Sequence, residues 1–194
     1  MPEEFMLHEE TERSDALVAE LAELWERSVR ATHNFLAEGG VEFYKPYAVE
    51  AIKCLPLVMT ARADGKAAAF MGITGAHLDA LFAAPEYFGC GAGAALMREA
   101  LARGVRSVDV NEQNPRARRF YEKHGFQIVS RRKTDDCGNP YPILRMELPE
   151  GKDRQRQTNN PRAFLTRGGC VLFLRFISRY IRNWNRSGLS FRYS

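Results

Sequence analysis

The sequence predicts a mixed α/β fold, in which a mainly antiparallel sheet carries helices on both faces. Three observations point there. Residues 57–61 and 67–74 are strand-like runs joined by Asp64-Gly65, a pair that favours the tight turn of an antiparallel hairpin. Gly75 then turns the chain directly into a third strand, ending near Ala83. Beyond it, helical and strand-like runs alternate as helix, strand, helix and two strands, and a strand-helix-strand crossover brings in a parallel pairing.

The elements can be justified in order. Residues 3–10 suit a short first strand. Ser14 is placed to cap a helix running to about Arg30, with Leu17, Leu21, Leu24, Trp25 and Ser28 at helical spacing and Glu20, Glu23 and Arg27 facing away. Gly39-Gly40 stops the stretch that follows. A second helix is expected over 41–54, interrupted or restarted at Pro46 and closed by Pro56. After the three-strand meander comes Gly89-Cys90-Gly91-Ala92-Gly93, opening into the helix-forming run 94–101. Residues 105–111 read as a strand. Asn114-Pro115 combines a cap residue with Pro at the first helical position, starting a helix that holds Ala117, Phe120 and Tyr121 and ends at Gly125. Residues 126–132 and 142–148 are the last two strands.

Composition narrows the class. The 194 residues are 45% apolar and 27% charged, values of a soluble globular protein with one substantial domain and some length left over. Neither a secretory leader nor an apolar run of about 18 residues is visible. Cys54, Cys90, Cys137 and Cys170 fit no zinc or redox spacing. A reduced, cytoplasmic protein without a metal site is therefore expected. Charge is uneven: residues 151–194 hold ten Lys or Arg and one acid, leaving 18 basic against 23 acidic side chains in residues 1–150. An acidic body suits a cationic small molecule or a lysine side chain, and argues against nucleic acid as the domain's partner. The boundary falls near Pro149, giving a domain over 3–149 and a basic extension over 150–194. Within that extension 150–162 reads as a linker and 171–186 as an amphipathic helix suited to a membrane surface or an acidic partner. The same tail also reads as an extension without a selected role.

The glycine turn admits two readings, a flexible connection or a cradle of backbone amides for a phosphate-type anion at a helix start. Gly89-x-Gly91-x-x-Ala94 matches a dinucleotide-binding fingerprint, and Glu112 follows about twenty residues later. However, that fingerprint places its first glycine at the strand end, and here residues 83–88 intervene after an antiparallel hairpin. A nicotinamide enzyme is disfavoured, and no Lys-Ser/Thr pair follows to make a nucleoside triphosphate loop.

Strand 78–82, the turn 88–93, its helix, Asn111-Glu112-Gln113-Asn114-Pro115 and Phe120-Tyr121-Glu122-Lys123-x-Gly125-Phe126 stand in the order and spacing of another group. Over residues 3–148 the chain resembles the GNAT superfamily of acyl-CoA-dependent N-acetyltransferases. Residues 24–36, 77–82 and Asp135-Asp136-x-Gly138-x-Pro140-Tyr141-Pro142 look like its YjaB-type bacterial branch. One position departs: Phe88 stands where the family usually has Arg or Gln.

The resemblance implies a splayed parallel strand pair at the sheet centre, with acetyl-CoA between the strands as cosubstrate and no metal. It implies acetyl transfer to a primary amine, on a protein lysine or a small molecule. Backbone amides of Leu81, Phe82 and Ala83 would hold the pantetheine, those of Phe88, Gly89, Cys90, Gly91, Ala92 and Gly93 the pyrophosphate, and Asn114 would contact the cofactor. Tyr121 would protonate the departing thiolate. Candidates for the base are His77, Asp79, Glu112 and a water relay, while Thr32 and His33 would line the acceptor pocket. A regulatory acyl-CoA-binding module without turnover is the alternative, which Phe88 favours. A monomer and a homodimer are both compatible.

Overall fold

The structure, a computed structural model, describes residues 5–149. The start of the first strand at residue 3, the linker and the helix over 171–186 lie outside the described residues. The elements are β1 (Met6–Glu9), α1 (Asp15–Thr32), α2 (Gly40–Cys54), β2 (Leu57–Ala63), β3 (Lys66–Thr74), β4 (His77–Ala83), a 3-10 turn (Pro85–Tyr87), α3 (Ala92–Ala102), β5 (Ser107–Asn111), α4 (Pro115–Lys123), β6 (Gln127–Arg132) and β7 (Ile143–Glu147). Among the described residues the sheet has seven strands in the order β1-β2-β3-β4-β5-β7-β6. Only β4 and β5 run parallel.

Local signals set most boundaries. The Ser14 hydroxyl accepts a bond from the Leu17 amide at 3.2 Å, capping α1. Asp64 and Gly65 both take positive φ, the backbone that joins β2 to β3 in a two-residue hairpin. The Oδ1 of Asn114 accepts from the Ala117 amide at 3.0 Å and starts α4. One boundary differs from expectation. The second helix runs through Pro46 without interruption. Pro46 and Glu42 both lie on the exposed side, so the carbonyl of Glu42, which loses its amide partner, is open to water.

Two apolar layers sandwich the sheet. Leu21, Trp25 and Ile52 of α1 and α2 pack with Val58 and Phe70 on one face. Leu96, Met97 and Ala100 of α3, with Tyr121 of α4, pack with Met71, Val108 and Met146 on the other. All of β3 after Lys66 is buried, because both layers close over it. Its Gly72 is dictated by close approach: a Cβ there would lie 2.3 Å from Cδ1 of Leu55, where α2 ends.

Candidate active site

The site begins with a failure of strand pairing. β4 and β5 pair only at His77 with Ser107 and Leu78 with Val108. On its other edge β4 shifts register against β3 between Gly72 and Ile73, leaving Asp79 as the extra residue of a bulge. From Asp79 onward the β5 side of β4 is unpaired, and the strands splay as the resemblance implied. The amide of Ala84 donates to Ala68 of β3. Strand alternation therefore commits the Phe82 amide to β3 as well and turns the amides of Leu81 and Ala83 toward the opening. Phe82 contributes to the cleft wall instead.

The opening is a cleft of about 610 Å³, within the range of small-molecule sites. At its outer end lies the glycine turn. Gly91 caps α3 at φ 102° with no side-chain bond, and α3 has no acid in its first turn. Phe88 and Cys90 spend their amides inside the turn, on the carbonyls of Pro85 and Tyr87. Among the described residues the amides of Gly89, Gly91, Ala92, Gly93 and Ala94 make no hydrogen bond, which leaves a set of donors at the positive end of a helix. A Cβ on Gly89 or Gly91 would meet no protein atom within 4 Å, so the space over the turn is open to a ligand. These features fit a pyrophosphate. The expected cradle is thus shifted: Cys90 is exposed and its thiol reaches only the Glu86 carbonyl.

At the inner end is Asp79. It lines the cleft, and its Oδ2 is buried without a hydrogen-bond partner. Burial, and to a lesser degree the neighbouring Asp109, push its pKa up to about 6, against the opposing pull of Thr74 and Arg145. Asp109 also lines the cleft but is paired, accepting from Arg145 at 3.2 Å and from Arg132 at 3.1 Å. Tyr121 lines the cleft from α4, with no hydrogen bond to its hydroxyl among the described residues, and burial raises its pKa well above the usual phenol value.

Other expected residues divide. His77 shares Asp109 and Arg145 with Asp79 but does not line the cleft. Its Nδ1 accepts from Arg145 at 2.9 Å and lies 3.0 Å from the Ser107 hydroxyl; burial and Arg145 lower its pKa. Glu112 points away, with both oxygens on Arg131 and its pKa lowered by that contact. Asn114 lines the cleft with its Oδ1 spent on the α4 cap, so only its side-chain NH₂ is left for a ligand. Thr32 and His33 are brought to the cleft. The Thr32 hydroxyl bonds the Ser28 carbonyl, and burial lowers the His33 pKa to about 4, leaving a neutral ring at pH 7.

Sequence reading missed two features. Arg116, Arg119 and Lys123 of α4 line the cleft, at the helical spacing that could have revealed them. The β6–β7 loop is also latched onto the α1–α2 region. The Tyr44 hydroxyl donates to Asp135, Asn139 donates to Tyr44 at 2.6 Å, and the Tyr141 hydroxyl accepts from the Ala37 amide at 3.1 Å. The Phe35 and Tyr141 rings meet at 5.8 Å beside His33.

Comparison with known proteins agrees with this geometry. A family model described as an acetyltransferase (GNAT) domain matches residues 56–128. The chain is 40% identical over 135 residues to the peptidyl-lysine N-acetyltransferase YjaB of Escherichia coli (strain K12), covering 66% of this chain and 87% of that protein. It is 38% identical over 144 residues to YjaB of Salmonella typhimurium, covering 73% and 94%. The solution structure of apo-form YjaB from Escherichia coli superposes with a TM-score of 0.68 at 32% identity, over 76% of this chain and 99% of that one. A GCN5-related N-acetyltransferase from Rhodopseudomonas palustris shares the fold, with a TM-score of 0.62 at 22% identity over 76% and 97%. Unpaired amides over an open turn, a splayed strand pair and close relatives of one kind converge: the chain belongs to the GNAT family and is an acetyl-CoA-dependent N-acetyltransferase.

Proposed function

We propose that the protein acetylates the ε-amine of a lysine side chain, with Asp79 as general base and Tyr121 as general acid. The observation that carries the assignment is the buried, unpartnered Oδ2 of Asp79 at the start of the strand splay. The name of the YjaB relatives supports the lysine acceptor.

Bound acetyl-CoA supplies an acetyl thioester whose carbonyl carbon is open to a neutral amine. A lysine amine with pKa about 10.4 arrives protonated, and Asp79, ionised above about pH 6, is placed to take that proton directly or through water. The free amides of Leu81 and Ala83 face the cleft, positioned to hold the pantetheine and to stabilise charge on the carbonyl oxygen. Tyr121 keeps its proton at neutral pH because burial opposes the phenolate. It can hand that proton to the sulfur as the carbon–sulfur bond breaks, so the thiolate leaves as a thiol. The first proton of the ammonium ends on Asp79, and the second, shed as the amide forms, returns to the Tyr121 oxygen directly or through water. His77 is less suited to the base role, since its Nδ1 already accepts from Arg145.

The test is thiol release with a lysine peptide and with a panel of free small amines, each followed by mass spectrometry of the acceptor. Tyr121→Phe should lower kcat about 10²–10³-fold while the Kd for CoA stays within about two-fold. Full activity in that variant would remove Tyr121 as the acid. Turnover confined to the free amines would remove the lysine acceptor.

A further inference from the structure

The outer end of the cleft contains a cation that neither the turn nor the strands supply. The guanidinium carbon of Arg116 lies 4.0 Å from the centroid of the Phe88 ring, and both residues line the cleft beside Gly89, Gly91 and Gly93. Phe88 belongs to the turn and Arg116 to the first turn of α4, so the contact ties two helix starts together. We propose that Arg116, oriented by stacking on Phe88, is the side-chain cation that binds the pyrophosphate of acetyl-CoA.

Three observations support this. First, Arg116 makes no ion pair among the described residues, whereas its neighbour Arg118 pairs with Glu122 at 2.8 Å. Second, a cation in the first turn of a helix faces the positive end of the dipole, and neither α3 nor α4 has an acid in its first turn. The arrangement concentrates positive potential where five unbonded amides already face the opening, and an anion relieves it. Third, a flat aromatic ring leaves the edge of a stacked guanidinium free to donate two parallel bonds to a phosphate, a geometry that lysine cannot reproduce. Phe88, an apolar residue at a position facing phosphate, thereby acquires a reason: it is a platform for a charge delivered from another helix. The inference rests on acetyl-CoA occupying the cleft and is independent of the roles given to Tyr121 and Asp79.

The test is calorimetric binding of CoA, of dephospho-CoA, which lacks only the ribose 3′-phosphate, and of pantetheine, which lacks all phosphates. Arg116 is exposed, so its substitution does not threaten the core, and thermal melts of each variant verify folding. Arg116→Ala should weaken CoA and dephospho-CoA equally, by about ten-fold, and leave pantetheine unchanged. Arg116→Lys should recover only part of the loss. Phe88→Ala should weaken both nucleotides by about three-fold although it removes no charge. In the double variant Phe88→Arg with Arg116→Ala, which moves the cation from helix to turn, CoA affinity should return to within about three-fold of wild type. An unchanged Kd in Arg116→Ala overturns the proposal. A loss seen with CoA but absent with dephospho-CoA would place Arg116 on the 3′-phosphate and overturn it equally. Failure of the unaltered protein to bind CoA would instead strike at the reading of the whole cleft.

Discussion

The two ends of the cleft are built on opposite principles. The outer end is electropositive and made of local devices: a glycine turn, two helix starts, and Arg116, Arg119 and Lys123 along one face of α4. The inner end is acidic and made by a long-range irregularity, where a bulge in β4 and the parting of β4 from β5 leave Oδ2 of Asp79 without a hydrogen-bond partner. One end is adapted to a polyanion and the other to a cationic amine. Along the length of one cleft, the charge pattern thus matches a donor with phosphates at one end and its reactive thioester at the other.

The sharpest way to break the contrast is at the inner end. Asp79→Asn should lower kcat/KM for a lysine peptide about 10²–10³-fold with CoA binding unchanged. The acid limb of the wild-type pH profile should sit near pH 6, the value to which burial pushes Asp79, and should be missing from the variant's residual activity. Stability should move the other way. The folded pKa of about 6 lies above the ordinary 3.8, so the folded state binds the proton more tightly. The cost is therefore absent below about pH 4, grows as pH rises toward 6, and persists at neutral pH. Removing the charge should stabilise the fold by about 1–2 kcal/mol at pH 7.5 and by little at pH 4, read by thermal melts, the half-buried position keeping the gain modest. Loss of both stability and activity at pH 7.5 would recast Asp79 as a structural residue.

At the outer end, a pair of glycine substitutions separates backbone strain from ligand clash. Gly91 and Gly104 take φ 102° and 88°, and a Cβ at either meets no protein atom within 4 Å. Each change to Ala should cost about 1 kcal/mol of stability, because L side chains resist that backbone. Only Gly91→Ala should also weaken CoA binding, by about ten-fold, since its Cβ would enter the space over the turn. Equal CoA affinities in the two variants would mean that the phosphates lie elsewhere.

The contrast also explains what was legible in the sequence. The outer end could be read because its parts are contiguous: alternating glycines ahead of a helix, and Asn114-Pro115 as a cap. Even there, sequence could not say that the amides of Phe88 and Cys90 are consumed within the turn, or that Arg116 reaches Phe88 from another element. At the inner end His77, Asp79 and Glu112 looked equivalent. Their partners set them apart, and those come from distant strands: Arg145 from β7 for His77 and Arg131 from β6 for Glu112. The latch of the β6–β7 loop was hidden for the same reason, since Tyr44 and Asp135 are 91 residues apart.

The smallest expected effect is the control for that distinction. Glu112 lies at the end of β5, within reach of the cleft in sequence terms, yet both its oxygens are held by Arg131 on the exposed side of β6. An exposed pair of this kind, screened by solvent, contributes little to stability even with two parallel bonds. Glu112→Gln should therefore change kcat/KM by less than about two-fold, leave the acid limb near pH 6 in place, and shift the melting temperature only slightly. If activity instead fell as far as in Asp79→Asn, the base would belong to the β5 side of the splay. The unpaired oxygen of Asp79 would then be an electrostatic neighbour of the amine, and the acidic end of the cleft would be a binding site for a cation with its proton acceptor across the gap.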